Sequence, residues 1–590
     1  MSKHVRAFAL ALLAVSMTGT AHAAPAQDLA KLCDDYWQGH LRANPVAATS
    51  IGDDRYDDQL SDITPAGIER DEARLESVLA RARAIDPKAL NAADQLTRAA
   101  LIEEIEDELA ASSCRMEQWV VDPLGGPQVD IMNLPDYTAL NTPAQGDKFV
   151  KRCRRMGRYF DDHIANLRLG LGQGKVASRS AVEKTIDQID KLVSGPVESL
   201  ALLAPARAAH PKWPAEQKQR FARELRAAVT DTVVPALVRY RDFLKRDVLP
   251  VARAPEKAGL AALPGGVECY RKMIRVHTSL DMTPEELHQL GLQQVAKFRQ
   301  DLSALGSKTL GTSDVREIEN KLRTDPEMHF STAEEVESKA RETLARAQAA
   351  MPKWFGAVKP KTACNVKVMG MHEAPYSTIA YYRQPSADGK RPGQYMINTY
   401  MPETRPRYEA EALAFHESVP GHHLQIAVAQ ELTRVPEFRK HQGVTAFVEG
   451  WGLYSERLAD EMGLYSSDVD RLGMLSYDAW RSCRLVVDTG LHAMGWSRQQ
   501  AIDYMKENSC LAENNIANEV DRYITWPGQA LAYKVGQLEI LRLRDEAKQK
   551  LGARFDIKAF HDVVLGNGAI ALPVLREQVE NYIKQAAGSQ

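Results

Sequence analysis

The segment from His416 to His423, His-Glu-Ser-Val-Pro-Gly-His-His, contains the residue types of a catalytic zinc site. In the common arrangement, His-Glu-x-x-His, two histidines four residues apart lie on one helix face and bind one Zn²⁺. The glutamate beside the first histidine is the general base that activates a water molecule. Here the fifth position is Pro420, and His422 and His423 follow His416 by six and seven residues.

An unbroken helix cannot bring these histidines to one ion. Residues six apart in an α-helix are separated by about 9 Å of rise and about 120° of rotation. Two nitrogens that bind one zinc, each at about 2.1 Å, can be little more than about 4 Å apart. The Pro420-Gly421 step can supply a bend, because proline lacks an N–H and glycine accepts unusual backbone angles. We interpret the motif as a zinc site with a two-residue insertion; the alternative is a helix that ends at a Pro-Gly turn.

The next predicted helix, from Val444 to Met462, has a carboxylate on its apolar side. Glu449 is flanked by Phe447 and Trp451, and a buried carboxylate needs a partner. It follows the second histidine of the motif by 27 residues, enough for one helix to end and another to pack against it. Two histidines, one glutamate and an open position form the ligand set of catalytic zinc sites. The alternative is a structural ion pair between Glu449 and an arginine.

The segments HESVPGHHLQ, FVEGWGLYSE and RYITWPGQALAYKVG resemble the bacterial domain-of-unknown-function family 885. The resemblance covers most of the chain and places it with gluzincin-type metallopeptidases, near the thimet oligopeptidase and carboxypeptidase Taq groups. It implies a mainly α, two-lobed, zincin-like fold with a small β-sheet or hairpin beside the active-site helix. Those relatives carry His-Glu-x-Gly-His. By that match His416, His422 and Glu449 are zinc ligands and Glu417 is the general base, while His423 is the alternative second ligand.

A late segment around Trp526-Pro527-Gly528 is rich in aromatic and charged residues. Related zinc peptidases use a tyrosine or histidine from a late helix to stabilise the oxyanion. Tyr533 is the candidate for this role, with Tyr523 behind it; the alternative is that each packs a helix junction. Arg522 and Lys534 are weaker candidates for binding a substrate carboxylate, which would favour exopeptidase action.

Residues 1–23 have the pattern of a cleavable signal peptide. Lys3 and Arg6 precede an apolar run from Phe8 to Val15, and Ala21-His22-Ala23 is a small-x-small cleavage site. No cysteine directly follows the apolar run, so a lipid anchor is not indicated. The pattern predicts export to the periplasm of a Gram-negative-like cell.

Composition limits the partners and the disulfides. The net charge of −3, with 26% charged residues, argues against nucleic-acid or anionic-membrane partners. No later stretch reaches the roughly 18 apolar residues of a spanning helix, so we expect a soluble protein. The sequence does not indicate an oligomeric state. The seven cysteines form no CxxC pair, and Cys483 with Cys510 is a possible disulfide.

The chain divides into an N-terminal helical region, 24–265, and a catalytic region, 266–590, whose lobes we expect to interleave in one family domain over about 28–585. The Pro- and Gly-rich stretch 249–266 is the predicted boundary. Apolar spacing of three to four residues predicts helices throughout the first region. They are Ala66–Ala84, Ala92–Ala111, Asp147–Leu169, Ser180–Val193 and Pro214–Leu244.

One region before the histidine motif is rich in β-forming residues. The predicted strands are Val366–Met369, Thr378–Arg383 and Gln394–Tyr400, the last two as a hairpin. We expect the following helix to begin near Arg405-Pro406 and to run to His416. The resemblance implies that an edge strand of this sheet pairs with an extended peptide. The alternative is an ordinary surface hairpin.

Together these features predict a hydrolase with one Zn²⁺ per chain that acts on short peptides or another small-molecule substrate in the periplasm. Two alternatives remain open at this point. One is a non-catalytic periplasmic binding protein with a degenerate metal motif. The other is a metal-dependent hydrolase of a non-peptide amide or ester.

Overall fold

The computed structural model describes residues 24–370, 374, 378–385 and 391–588. In this part the chain is mainly helical with one small sheet, as predicted. The predicted signal peptide, 1–23, lies outside the described residues. None of the described helices combines the length and apolar character needed to cross a bilayer.

The described α-helices are numbered α1 to α24 in chain order. They are 24–43, Pro45–Ser50, Pro65–Ala84, Ala92–Ser113, Pro127–Tyr137, Pro143–Gly172, Arg179–Ser194, Ala204–Arg207, Ala215–Ala228, Val234–Phe243, Gly266–Thr278, Pro284–Thr309, Val315–Thr324, Ala333–Trp354, Ala410–Glu417, His422–Gln430, Glu437–His441, Thr445–Glu461, Asp468–His492, Arg498–Asn508, Glu513–Thr525, Ala532–Leu551, Ile557–Leu565 and Leu572–Gly588. The predicted helix Pro214–Leu244 is interrupted by a π-turn at Val229–Val233. Pro235 comes two residues after this turn and cannot donate the N–H that a regular α-turn needs.

The sheet has three strands, β1 (Cys364–Val368), β2 (Ala380–Arg383) and β3 (Gly393–Ile397), in the order β1-β3-β2. β2 and β3 form the predicted hairpin, with Tyr382 opposite Tyr395. β1 lies parallel to β3 on the other side. Because β3 is central, β2 is an edge strand, and it packs beside α15.

The buried residues form several cores. Residues between 121 and 252 make one core around α6 and α10, and residues of α1, α3 and α4 make a smaller one that includes Phe438. The largest core draws mainly on residues 260–583. The stretch 249–266, predicted as a boundary, consists largely of short 3₁₀ turns between the first and the largest core.

The helix α18 lies at the centre of the C-terminal half, where it packs against α15, α16, α19 and α22. The backbones of α18 and α22 come into direct contact at Gly450 and Gly536. A Cβ at Gly450 would lie 2.5 Å from Gly536 Cα, and one at Gly536 would lie 1.8 Å from Ala446 O. These two glycines therefore fix where the start of α22 lies relative to Glu449.

Two predictions about local structure are wrong. The helix α15 begins at Ala410 and not near Arg405-Pro406, because the preceding backbone pairs with another segment: Phe330 N–H donates to Arg405 O at 3.1 Å. The disulfide joins Cys114 to Cys269, with Cα atoms 5.3 Å apart. Cys483 and Cys510 are buried free thiols, and the Cys483 Sγ faces Asn508 O at 3.2 Å.

Candidate metal centre

The histidine motif folds as two short helices separated by a sharp bend. α15 ends at Glu417, and α16 begins at His422. A Cβ at Gly421 would lie only 1.9 Å from His416 O, so the close approach of the two segments requires glycine. The carbonyl of Pro420, which follows a cis peptide bond, accepts a hydrogen bond from Trp451 Nε1 at 2.8 Å. The predicted bend at Pro420-Gly421 is therefore present and is held by α18.

The bend brings the two imidazoles together against a carboxylate. The rings of His416 and His422 are nearly perpendicular, with centroids 4.6 Å apart. Oε2 of Glu449 lies 3.6 Å from His416 Nε2 and 3.5 Å from His422 Nε2. Two ligands that each lie about 2.1 Å from a tetrahedral zinc are separated by about 3.4 Å. Both distances from Glu449 Oε2 are therefore those expected between two ligands of one metal ion.

Glu417 lies beside the same group. One ligand atom each of His416, Glu417 and His422 fall within 4.8 Å of one another. The Tyr382 backbone N–H of β2 donates to Glu417 Oε2 at 2.9 Å, which fixes the direction of this carboxylate. Both histidines are buried, whereas Glu417 and Glu449 are half-buried. The carboxylate side of the centre is therefore its accessible side.

The electrostatics of the centre favour a positive charge. Burial lowers the pKa of His416, but hydrogen bonds to Glu449 and Glu456 outweigh it and raise the pKa to about 9. Burial raises the pKa of Glu449, yet its contacts with His416 and His422 hold that pKa well below the usual range. Carboxylates around two imidazoles stabilise either a proton or a metal cation at this point.

Glu456 completes the centre, and the sequence analysis missed it. Its Oε1 lies 2.8 Å from His416 Nδ1 and leaves His416 Nε2 facing Glu449. This is the carboxylate–histidine arrangement that orients metal ligands. Glu456 follows Glu449 by seven residues, so both lie on one face of α18, and this spacing could have indicated it. At Gly452, between them, a Cβ would lie 2.7 Å from the His416 ring, so glycine makes room for the imidazole.

His423 points away from this group. Its Nδ1 lies 3.0 Å from the Tyr382 hydroxyl, and its Nε2 lies 3.0 Å from the Thr362 carbonyl oxygen. Burial lowers the pKa of His423 to about 4. Both ring nitrogens are thus engaged in hydrogen bonds, whereas His422 Nδ1 has no hydrogen-bond partner among the described residues. The structure brings His422, and not His423, to His416 and Glu449.

The candidate oxyanion residue, Tyr533, lies in the first turn of α22, one turn before Gly536. Its half-buried ring lies under the guanidinium of Arg484, whose Cζ is 4.4 Å from the ring centroid. The helix that carries Tyr533 packs on α18 through Gly536, which contacts Gly450, the residue after Glu449.

The weaker candidates are engaged in internal contacts. The Tyr523 hydroxyl is buried and accepts hydrogen bonds from Trp480 Nε1 at 3.0 Å and from Arg484 Nε at 2.9 Å. Arg522 donates to Glu519 at 2.9 Å and to Gln529 at 3.1 Å.

Lys534 is buried and donates to Asp478 at 2.6 Å. Burial lowers the pKa of this lysine. Its ammonium group is committed to a buried ion pair, which leaves it poorly placed to take a substrate carboxylate.

The donor set suits zinc. Two imidazole nitrogens and one carboxylate oxygen are typical of catalytic zinc sites, and a second carboxylate stands beside them. Among the residues that the structure describes, none forms a hydrogen bond with His422 Nδ1 that would turn the ring away from Glu449. The residues that could hold the ion are therefore His416, His422 and Glu449.

Comparison with known proteins identifies the family but not the activity. The sequence profile of the family described as "Bacterial protein of unknown function (DUF885)" matches residues 45–579. Comparison with curated proteins gave no match.

Two solved structures share the fold. The "putative lipoprotein from Colwellia psychrerythraea" is 28% identical, with a TM-score of 0.88 over 95% of this chain and 99% of that one. The "putative lipoprotein of unknown function from Shewanella oneidensis" is 20% identical, with a TM-score of 0.70 over 94% of this chain and 99% of that one. The second likeness shows the fold alone.

Proposed function

Because this chain belongs to the DUF885 family, whose description names no activity, we propose its function from its own residues: a zinc-dependent hydrolase of short peptides. One Zn²⁺ would be held by Nε2 of His416, Nε2 of His422 and Oε2 of Glu449. The observation that carries this proposal is the position of Glu449 Oε2, 3.6 Å and 3.5 Å from the two imidazole nitrogens. A metal site requires two histidines from separate helices to face the same carboxylate oxygen, whereas a purely structural cluster of polar groups does not.

Bound zinc would supply Lewis acidity, polarising a carbonyl and lowering the pKa of water. The chain's own residues supply the proton transfers. Glu417 takes the proton of the attacking water and delivers it to the leaving amine. The Tyr382 backbone N–H holds the Glu417 carboxylate in direction for this transfer. Glu456 accepts a hydrogen bond from His416 Nδ1–H and keeps the Nε2 lone pair turned toward Glu449.

The edge strand β2 supports a peptide as the substrate. The Tyr382 N–H points to Glu417 and not to β3, so the free edge of β2 faces the centre. An extended peptide that pairs with this edge would lie alongside the catalytic carboxylate. Tyr533, in the first turn of the helix whose Gly536 packs on Gly450, is the proposed donor to the oxyanion.

We also propose that the protein works after export from the cytoplasm. The support is the signal-peptide pattern at residues 1–23 and the description of the Colwellia psychrerythraea neighbour as a "putative lipoprotein". A periplasmic location would supply short peptides and the oxidising conditions in which the Cys114–Cys269 disulfide persists.

The test is metal analysis of the purified chain from residue 24 onward, with a peptide-library digest before and after chelation and after zinc is restored. We expect about one zinc per chain and cleavage that chelation abolishes. Glu417→Gln should keep the zinc and lose cleavage. The control Glu437→Gln changes an exposed glutamate, 57% accessible, and should keep both.

Three other outcomes would each contradict the proposal or one of its residue roles. A chain without bound metal whose peptide affinity survives chelation would be the binding protein of the first alternative. A zinc-containing chain that cleaves ester or non-peptide amide substrates, but no peptide in the library, would be the hydrolase of the second alternative. Cleavage by Glu417→Gln at the normal rate would remove Glu417 from the mechanism.

A further inference from the structure

Three arginines gather around aromatic rings beside the candidate metal centre. Arg481 and Arg484 come from α19 and stack on Trp480, with Cζ atoms 4.3 Å and 4.4 Å from its centroid. Arg484 also lies 4.4 Å from the Tyr533 ring, and Arg481 lies 5.9 Å from it. Arg522 of α21 joins the group through Glu519, which binds both Arg484 and Arg522. We call Arg481, Arg484 and Arg522 the arginine cluster.

The arginine cluster has more positive charge than nearby negative charge. Glu519 is firmly ionised: burial raises its pKa, but Arg522 and Arg484 outweigh this and lower it to about 2. Glu456 lies 3.8 Å from Arg481 but is shared with His416. Two carboxylates thus face three guanidinium groups.

Glu409 is a further nearby acid, and burial raises its pKa to about 7. Asp488 is another, and it compensates the cluster only in part. Burial raises its pKa to about 7. Its Oδ1 is occupied by the Tyr270 hydroxyl at 2.6 Å and by Gly528 N–H at 3.1 Å.

The cluster also has unused hydrogen-bond donors. Within the described part of the chain, Nε of Arg481, Nη1 of Arg484 and Nε of Arg522 have no hydrogen-bond partner. The side chains of Arg481 and Arg484 are only 5% and 3% exposed, so solvent does not satisfy these atoms well. An unpaired donor on a buried guanidinium is stabilised by any added acceptor, and most strongly by an anion.

The arginine cluster adjoins the metal centre by two routes. Arg481 contacts Glu456, and Glu456 holds His416. Arg484 contacts Tyr533, which lies one turn before the Gly536 contact with α18. Trp480 and Tyr533 are half-buried, so the cluster approaches the surface on the Tyr533 side.

We propose that Arg484, with Arg481 beside it, binds the C-terminal carboxylate of the substrate peptide, so that the enzyme removes residues from the carboxyl end. This inference rests on the proposed peptidase function and narrows it. Nε and Nη2 of Arg484 are already taken by Tyr523 and Glu519, so its free donor is Nη1, and the free donor of Arg481 is Nε. A carboxylate supplies one negative charge and two oxygens to accept from these two donors. The Tyr533 ring covers Arg484, so it must turn aside when the carboxylate enters, which brings its hydroxyl into the substrate's surroundings.

The test measures binding apart from cleavage. The zinc-loaded full chain with Glu417→Gln is titrated calorimetrically with the peptide Ala-Ala-Ala-Ala-Phe as the free acid and as its C-terminal amide. We expect the acid to bind about 10- to 100-fold more tightly, the range for charge-assisted hydrogen bonds. The same comparison without zinc should keep the preference, because the anchor is the arginine and not the metal. Equal affinity for acid and amide, or no binding of either, overturns the anchor.

Adding Arg484→Gln should reduce the preference for the acid to about onefold, while adding Arg471→Gln on the same helix should leave it unchanged. Arg471 is 40% exposed and pairs with Asp460, so it is a matched control outside the cluster. A preference that survives Arg484→Gln overturns the proposal.

If that variant fails to fold, the acid–amide comparison on Glu417→Gln still decides. Equal cleavage of both peptides by the unmutated chain would retain the peptidase and remove the anchor, whereas cleavage of neither would remove the proposed function itself.

Discussion

Glu456 Oε1 lies 2.8 Å from His416 Nδ1, on the opposite edge of the imidazole from Glu449. This contact decides which nitrogen of His416 carries the proton and which is free to bind a metal. A histidine held in this way is a better ligand because it is both oriented and more basic. The relationship makes Glu456 the most informative residue to change outside the proposed ligands.

Glu456→Gln should weaken zinc binding by roughly 10- to 100-fold, the usual cost of losing such a carboxylate partner. The measurement is a zinc dissociation constant from competition with a chromogenic chelator. Glu461→Gln on the same helix is the control, since Glu461 is 41% exposed and pairs with Arg544. Unchanged zinc affinity in Glu456→Gln would show that Glu456 only fills space.

His422→Ala should abolish stoichiometric zinc binding, whereas His423→Ala should retain it. The reason is that His422 Nε2 lies 3.5 Å from Glu449, while both nitrogens of His423 are engaged with Tyr382 and Thr362. Metal content after dialysis measures both variants. Zinc loss in His423→Ala with full zinc in His422→Ala would reverse the assignment.

Gly452→Ala should lower zinc affinity by roughly tenfold, a loss of the size that misdirected ligands produce. The added Cβ would lie 2.7 Å from the His416 ring and push the imidazole off its position. Gly443→Ala is the matched control, because a Cβ there meets no atom within 4 Å. The same chelator competition applies, and equal affinities of the two variants would contradict the packing argument.

Zinc binding near neutral pH should release about one proton from the centre. Without metal, the pKa of His416 is raised to about 9, so this histidine is protonated at pH 7 and must lose its proton to coordinate. Apparent zinc affinity should therefore rise as pH increases from about 6.5 to 9 and level off above that range. Calorimetry in buffers of different ionisation enthalpy counts the released protons. An enthalpy that is independent of the buffer would contradict this prediction.

Replacing Cys114 and Cys269 by serine should lower the free energy of unfolding by roughly 2–4 kcal/mol. The disulfide closes a loop of 155 residues and ties the end of α4 to α11. Urea unfolding with and without reductant measures the effect. Reductant should destabilise the unmutated chain and leave the stability of the double variant unchanged. If reductant also destabilised the double variant, the effect would come from another cysteine.

Much of the local structure around the centre follows from the sequence. The helix predicted over Val444 to Met462 forms as Thr445–Glu461. Its apolar residues have helical spacing, and Gly463 with positive φ marks its C-terminal end. The bend at Pro420-Gly421 follows from residue types alone. The hairpin of β2 and β3 was also predicted, although β1 adds to it in parallel.

The errors involve contacts between residues distant in the chain. The start of α15 could not be predicted, because residues 405–407 pair with the backbone near Phe330, more than seventy residues earlier. The disulfide between Cys114 and Cys269 depends on how α4 meets α11, which no spacing in the sequence encodes. Glu456 was missed for a different reason: its heptad spacing from Glu449 was visible, but its partner imidazole was not.

The glycine pair at Gly450 and Gly536 has a consequence for how this protein could be altered. Main chain rests on main chain there, so the separation of Glu449 from the start of α22 does not depend on any side chain's size. Residues on the outer surface of α22 could therefore be varied in a directed-evolution library to seek new substrates, while the distance between metal ligand and tyrosine stays constant. A substitution at either glycine would change that distance and affect every substrate alike.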